Sequence, residues 1–151
     1  MENVLDAGGA RRAFVRADPR IGRLVENLLR HVESAVYPGG CFFASVAAEM
    51  DTHPGLVRDR AAQLTGEWLR QLETAARDAQ AEGAIDPSED PEQLAFELDA
   101  YMLLANAQFV VTQESTPIER ARRALERRLT AAGCRPVARD SQPVRMGRGN
   151  T

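Results

Sequence analysis

The 151-residue sequence predicts an all-helical fold. Three observations carry that expectation. There is no alternating run of β-branched residues and no Asn-Gly or Asp-Gly hairpin signal. Helix-start punctuation recurs: Asp18-Pro19, His53-Pro54, Asp90-Pro91 and Thr116-Pro117 each set a proline where a first helical residue would stand. Between these points apolar residues return at three- and four-residue spacing.

The totals narrow the class. The length suits one domain and suffices to bury a core without disulfide or metal. Net charge is −3, and all 19 basic residues are arginine. Cys41 and Cys134 stand far apart with no CxxC or Cys/His ligand spacing, so no disulfide framework or zinc site follows. The N-terminus has no basic-then-apolar leader, and no apolar run approaches the length of about 18 residues that a membrane span needs. The expectation is a soluble cytoplasmic protein with no membrane contact.

Residues 1–17 are mixed, and Gly8-Gly9 interrupts any helix there. Residues 19–36 carry Ile21, Leu24, Val25, Leu28, Val32 and Val36 on one stripe, with His31 at its boundary. Residues 40–50 form a short helix of small residues. Its Phe42 and Phe43 point about 100° apart, so at least one faces inward. Cys41 reads as a small buried hydrophobe. Residues 54–82 form the longest helix, with Val57, Ala61, Leu64, Trp68, Leu72, Ala75 and Ala79 on a clean stripe. Trp68, the only tryptophan, is either core filler or the wall of a ligand cavity. Residues 84–90 read as an acidic linker that solvates a corner.

The segment 91–113 is the most apolar, and it is apolar on two flanks. Phe96, Ala100, Leu103, Ala107 and Val110/Val111 form one; Leu94, Leu98, Tyr101, Met102, Ala105 and Phe109 form the other. A surface helix needs only one apolar stripe, so this one is sandwiched, and we read it as the joint between two copies of the chain. Glu92, Asp99, Asn106 and Gln113 recur every seventh residue as a drifting polar seam. An unpaired buried polar group costs about 1–3 kcal/mol, so Asp99 and Asn106 need partners, water or a wet cavity.

The last helix, 117–132, sets Ile118, Ala121, Leu125 and Leu129 on one face and arginines on the rest. Thr116 and Glu119 have capping-box spacing. Gly39, Gly83 and Gly133 mark helix ends where a left-handed residue is tolerated. Residues 84–114 hold seven acids and no arginine, whereas 115–151 hold nine arginines, a contrast that favours pairing of the last two helices. Residues 134–151, with Pro136, Pro143 and four arginines, read as a disordered tail.

No catalytic constellation is present. There are two histidines, and no HExxH, GxGxxG, Walker loop or nucleophile elbow. The Glu89/Asp90 pair lies in a loop where burial would not tune a general acid. The residues speak against an enzyme and require no cofactor.

The run Tyr37-Pro38-Gly39-Gly40-Cys41-Phe42-Phe43-Ala44, with Ala48-Glu49-Met50-Asp51, Pro54-Gly55-Leu56-Val57-Arg58-Asp59 and Trp68-Leu69, resembles the regulatory region of tetracycline-repressor (TetR) family transcription regulators. Asp90 to Ala100 and Arg120 to Glu126 are similar to that family's last two helices. The resemblance spans roughly 4–132. It implies a helical domain whose last two helices build a four-helix bundle with a second subunit, and a cavity among the central helices for a small, mostly apolar effector. The family's DNA-reading helix-turn-helix head is missing from these residues, and 1–17 resembles the remnant of the helix that follows it.

The expectations are then an effector-binding and dimerisation domain over 18–133, a homodimer, and operator DNA reached only through the missing head. Candidate cavity residues are Phe42, Phe43, Val46, Met50, Trp68, Leu72, Met102 and Asn106. Candidate interface residues are Tyr101, Ala105, Gln108, Ala121, Ala124, Leu125 and Arg128. The alternative is a stand-alone helical module that pairs with itself or with a complete regulator.

Overall fold

The computed structural model describes residues 18–34, 40–50 and 54–133. The expected N-terminal remnant, the tail, and His53, Gly39 and Cys134 lie outside the described residues. Five helices follow in order: α1 (Pro19–Glu33), α2 (Phe42–Met50), α3 (Leu56–Ala81), α4 (Pro91–Thr112) and α5 (Thr116–Ala132). No strand occurs among the described residues, and the all-helical expectation holds.

Two of the expected helix starts form as read. Asp18 caps α1, its carboxylate accepting from the N–H groups of Arg20 (2.7 Å) and Ile21 (3.2 Å). Asp90 caps α4 in the same way, through Glu92 and Gln93. Each cap satisfies amide donors that the first turn leaves without partners. Asp18 is buried, and burial by itself would raise its pKa. Hydrogen bonds from the Arg20 side chain and from the two N–H groups outweigh that and hold it below the usual value.

Two other starts differ. The third helix begins at Leu56, with Gly55 as an N-cap that supplies no side chain. The last begins at Thr116, capped by the backbone of Ser115, so Thr116 sits inside the helix and its box with Glu119 does not form. Gly83 ends α3 in the left-handed region (φ 75°), as expected. Gly133 does not: it is extended because it bridges Ile85 in an antiparallel pair. The left-handed C-cap of α4 is Gln113 (φ 56°).

The segment 84–90 is not a solvated corner. Ile85 is fully buried, Asp86 N–H donates to Ala132, and the Gln80 amide holds the carbonyls of Asp86 and Glu89. The loop ties the end of α3 to the end of α5.

The core lies where α4 meets α1, α3 and α5. Leu94, Leu98 and Met102 of α4 interlock with Leu72 and Ala79 of α3, Val25 and Leu29 of α1, and Ile118, Leu125 and Leu129 of α5. Alanines 75, 76 and 79 give α4 a flat wall, and their small size permits close approach. Burial of each large aliphatic side chain contributes about 1.5–3 kcal/mol.

Two arginines of α5 bind the layers. Arg122 holds Glu26 and Glu33 of α1 together, and Arg128 holds Glu89 of the loop and Glu97 of α4. These carboxylates raise the pKa of both guanidiniums, with Glu33 the leading partner of Arg122 and Glu89 of Arg128. Arg128 is thus committed to side chains rather than to the end of its own helix.

By length and composition alone, α4 passes the test for a membrane span, which corrects the reading that no segment comes near it. One of its sides is packed into the core, and it carries Glu97 and Asp99. These features mark it as the central helix of the bundle.

Candidate functional site

The two flanks of α4 take different roles. The inner flank, Leu94, Leu98, Met102 and Ala105, is buried in the chain's own core. The outer flank is not. Phe96 is 63% exposed, Leu103 52%, Leu104 60% and Val111 83%. Ala100 and Ala107 are exposed between them, so the stripe runs Phe96–Ala100–Leu103–Ala107–Val111 with Leu104 beside it. Its 4-3-4-4 spacing keeps the stripe on one side of the helix. Side chains of this size leave water when they find a partner.

The inner edge of α4 carries the polar seam. Trp68 of α3 donates from Nε1 to Asp99 Oδ1 at 2.8 Å. Burial raises the Asp99 pKa, and the indole N–H works against that rise. Seven residues on, the Asn106 side-chain oxygen accepts the Cys41 N–H at 2.8 Å. Asn106 is buried. Gly40 makes this crossing possible. It has φ 70°, and a Cβ there would collide with Asn106 Oδ1 and lie 2.8 Å from Val110 Cγ2. The backbone that leads into α2 therefore rests directly on α4.

The candidate cavity residues are partly brought together. Trp68, Leu72 and Met102 belong to the α3–α4 contact, with Leu72 and Met102 fully buried and Trp68 half-buried, whereas Asn106 meets the lead-in to α2. Val46 is half-buried, and Phe42 is 50% exposed. The side chains of Phe43 and Met50 lie outside the described residues. Cys41 is half-buried rather than core. An open groove of about 800 Å³ lies elsewhere, between α1 and α3. It is lined by Arg20, Arg23, Asn27, Glu67, Arg70 and Asp78 among others, and by none of the eight candidates. Its open walls combine these charged side chains with Leu24 and Ala75.

The candidate interface residues divide. Tyr101 and Gln108 are exposed on the rim of the outer flank, and Ala124 is half-buried on α5. Ala105, Ala121 and Leu125 are corrected: the chain's own core covers them, at 3%, 5% and 0% exposure. A residue already covered by its own chain has no surface left for a partner. Arg128 is corrected too, because Glu89 and Glu97 of its own chain occupy it. Phe96, Leu103, Leu104 and Val111, the exposed large side chains of the outer flank, are not among the candidates, although Phe96, Leu103 and Val111 belong to a flank that the spacing marked.

Comparison with curated proteins returns no match. The profile of one protein family, described as tetracyclin repressor-like, C-terminal domain, matches residues 17–125. That span covers α1 to α4 and most of α5, and so includes both the polar seam and the outer flank. The chain therefore belongs to the tetracyclin repressor-like C-terminal domain family, the regulatory part of TetR-type transcription regulators.

Proposed function

We propose that residues 18–133 sense a small effector and dimerise a TetR-type repressor that works in the cytoplasm. The observation that carries this reading is the division of α4. One edge holds Asp99 and Asn106 against α3 and the start of α2, while the opposite face presents an apolar stripe to solvent. A ligand lodged along the first edge bears on the same rod that forms the second. In this reading two α4–α5 hairpins close face to face into a four-helix bundle, with Phe96, Leu103, Leu104 and Val111 at its centre and Tyr101, Gln108 and Ala124 at its rim.

Operator DNA would be engaged by a helix-turn-helix outside the residues described. Effector and operator then favour different arrangements of the helices. By linkage, whatever factor the effector takes from operator affinity, the operator takes from effector affinity. The domain acts by binding and not by catalysis. The test is association: Leu104→Glu should give a folded monomer by sedimentation, and an unchanged dimer would refute the assignment of this face.

A further inference from the structure

The outer flank of α4 reads the same from either end. Forward from Phe96 the order is bulky, small, bulky: Phe96, Ala100, Leu103. Backward from Val111 it is again bulky, small, bulky: Val111, Ala107, Leu104. The halves share one spacing, four residues and then three, and they meet between Leu103 and Leu104. Helical period places such residues on one side, but it does not order their sizes. All six are exposed, and none carries a charge.

A two-fold axis calls for that order. In an isologous interface residue i of one copy meets residue j of the other, and j meets i. Set two copies of α4 antiparallel with the axis between Leu103 and Leu104. Phe96 then faces the partner's Val111 at both ends, and Ala100 faces the partner's Ala107. Leu103 and Leu104 flank the axis, each beside its own copy. The alanine pairs allow the separation of about 8–10 Å usual for packed helices. Sliding by one turn loses the match: Leu104 would face Ala107, Ala100 would face Val111, and Phe96 would face Ser115, the N-cap of α5. The area suffices as well. At their exposures Phe96, Leu103, Leu104 and Val111 present about 500 Å² of surface. Two copies would remove about 1,000 Å² from water, the level at which specific interfaces begin.

We propose that α4 pairs with α4 of a second copy of this chain, antiparallel about a two-fold axis between Leu103 and Leu104. The symmetric order of sizes matches the chain to itself, and an unrelated regulator has no reason to carry the same order. The partner is therefore an identical subunit, not a different regulator. The proposal rests on the dimerisation reading above and fixes its partner and its register.

Cross-linking tests the register. In a chain whose Cys41 and Cys134 are replaced by serine, Leu103→Cys and Leu104→Cys should each join to its own copy through a short bismaleimide, giving a covalent dimer on a denaturing gel. Phe96→Cys or Val111→Cys alone should not, since two copies of either residue would lie about 22 Å apart along the helices. The two substitutions together should. Ala100→Cys with Ala107→Cys removes no bulky side chain, so it tests the same register where a larger change weakens association. That pair should form disulfides between copies on mild oxidation. Self-linking of Phe96→Cys, or no covalent dimer from either pair in a chain that sediments as a dimer, overturns the register and leaves the dimerisation reading in place. A wild-type chain that sediments as a monomer removes both.

Discussion

Trp68 and Asp99 join the middle of α3 to the middle of α4 through one 2.8 Å hydrogen bond from indole to carboxylate. Burial leads the shift of Asp99 and raises its pKa above 3.8. The folded state therefore favours the protonated form more than the unfolded state does. That contribution is fully present below the unfolded pKa and is lost as pH rises through the folded one. At neutral pH the wild type lacks it, whereas an amide never ionises. Asp99→Asn should raise the melting temperature at pH 7, and the difference should shrink as pH falls toward 3.8. Circular dichroism melts across that range check it; a gap that does not change with pH would contradict the account.

Gly40 and Asn106 test the crossing of α2's lead-in over α4. Gly40→Ala adds a left-handed penalty and a clash with Asn106, and should destabilise the fold by about 1–3 kcal/mol. Asn106→Ala removes the obstructing oxygen. The double variant should therefore lose less than the sum of the singles in urea denaturation, because the second change relieves the first.

Arg122 spans two carboxylates two helical turns apart on α1, with its shortest contact, to Glu33, at 2.7 Å. Arg122→Met strands both and should cost about 2–4 kcal/mol, at or just below the range for breaking a buried pair. Arg77, exposed beside Glu73, offers the contrast: Arg77→Met should cost less than about 1 kcal/mol. Arg122→Lys should recover only part of the loss, since one ammonium cannot match the planar fork. Equal costs for Arg122→Met and Arg77→Met in denaturant titrations would remove the special role of Arg122.

Leu125 and Leu104 separate folding from association. Leu125→Ala opens a cavity in the core and should cost about 2–5 kcal/mol of stability. Leu104→Ala, at 60% exposure in the single chain, should leave the fold of that chain nearly unchanged and weaken self-association instead. Denaturation and sedimentation of both variants check the division.

The helices themselves were legible in the sequence, because proline punctuation and apolar spacing are local signals. Asp18 and Asp90 could be recognised as caps, since a cap needs only its own first turn. The start of α5 could not be fixed, because Ser115 and Thr116 offer competing frames one residue apart. Ile85 was misread for a different reason: its burial depends on Gly133, 48 residues away in sequence. The interface list failed at Leu125 and Ala121 because helical phase says which residues share a face but not what covers it. Spacing separated the two flanks of α4 except at Tyr101, which was set with the inner residues and is exposed; which flank faced outward became clear only once α1, α3 and α5 had taken the other. Of the seam, Asp99 and Asn106 were visible by their spacing of seven, whereas Trp68 as the partner of Asp99 required the packed fold.

In the proposed dimer the outer flank of α4 is where two chains meet. Sedimentation equilibrium of the wild type beside Leu104→Glu, from low- to high-micromolar concentration, tests it most directly. A wild-type dimer and a folded Leu104→Glu monomer are expected, the charge at the centre of the stripe raising the dissociation constant by at least about a hundredfold. A wild-type chain that stays monomeric at the highest concentration, or a dimer that ignores the glutamate, would contradict it.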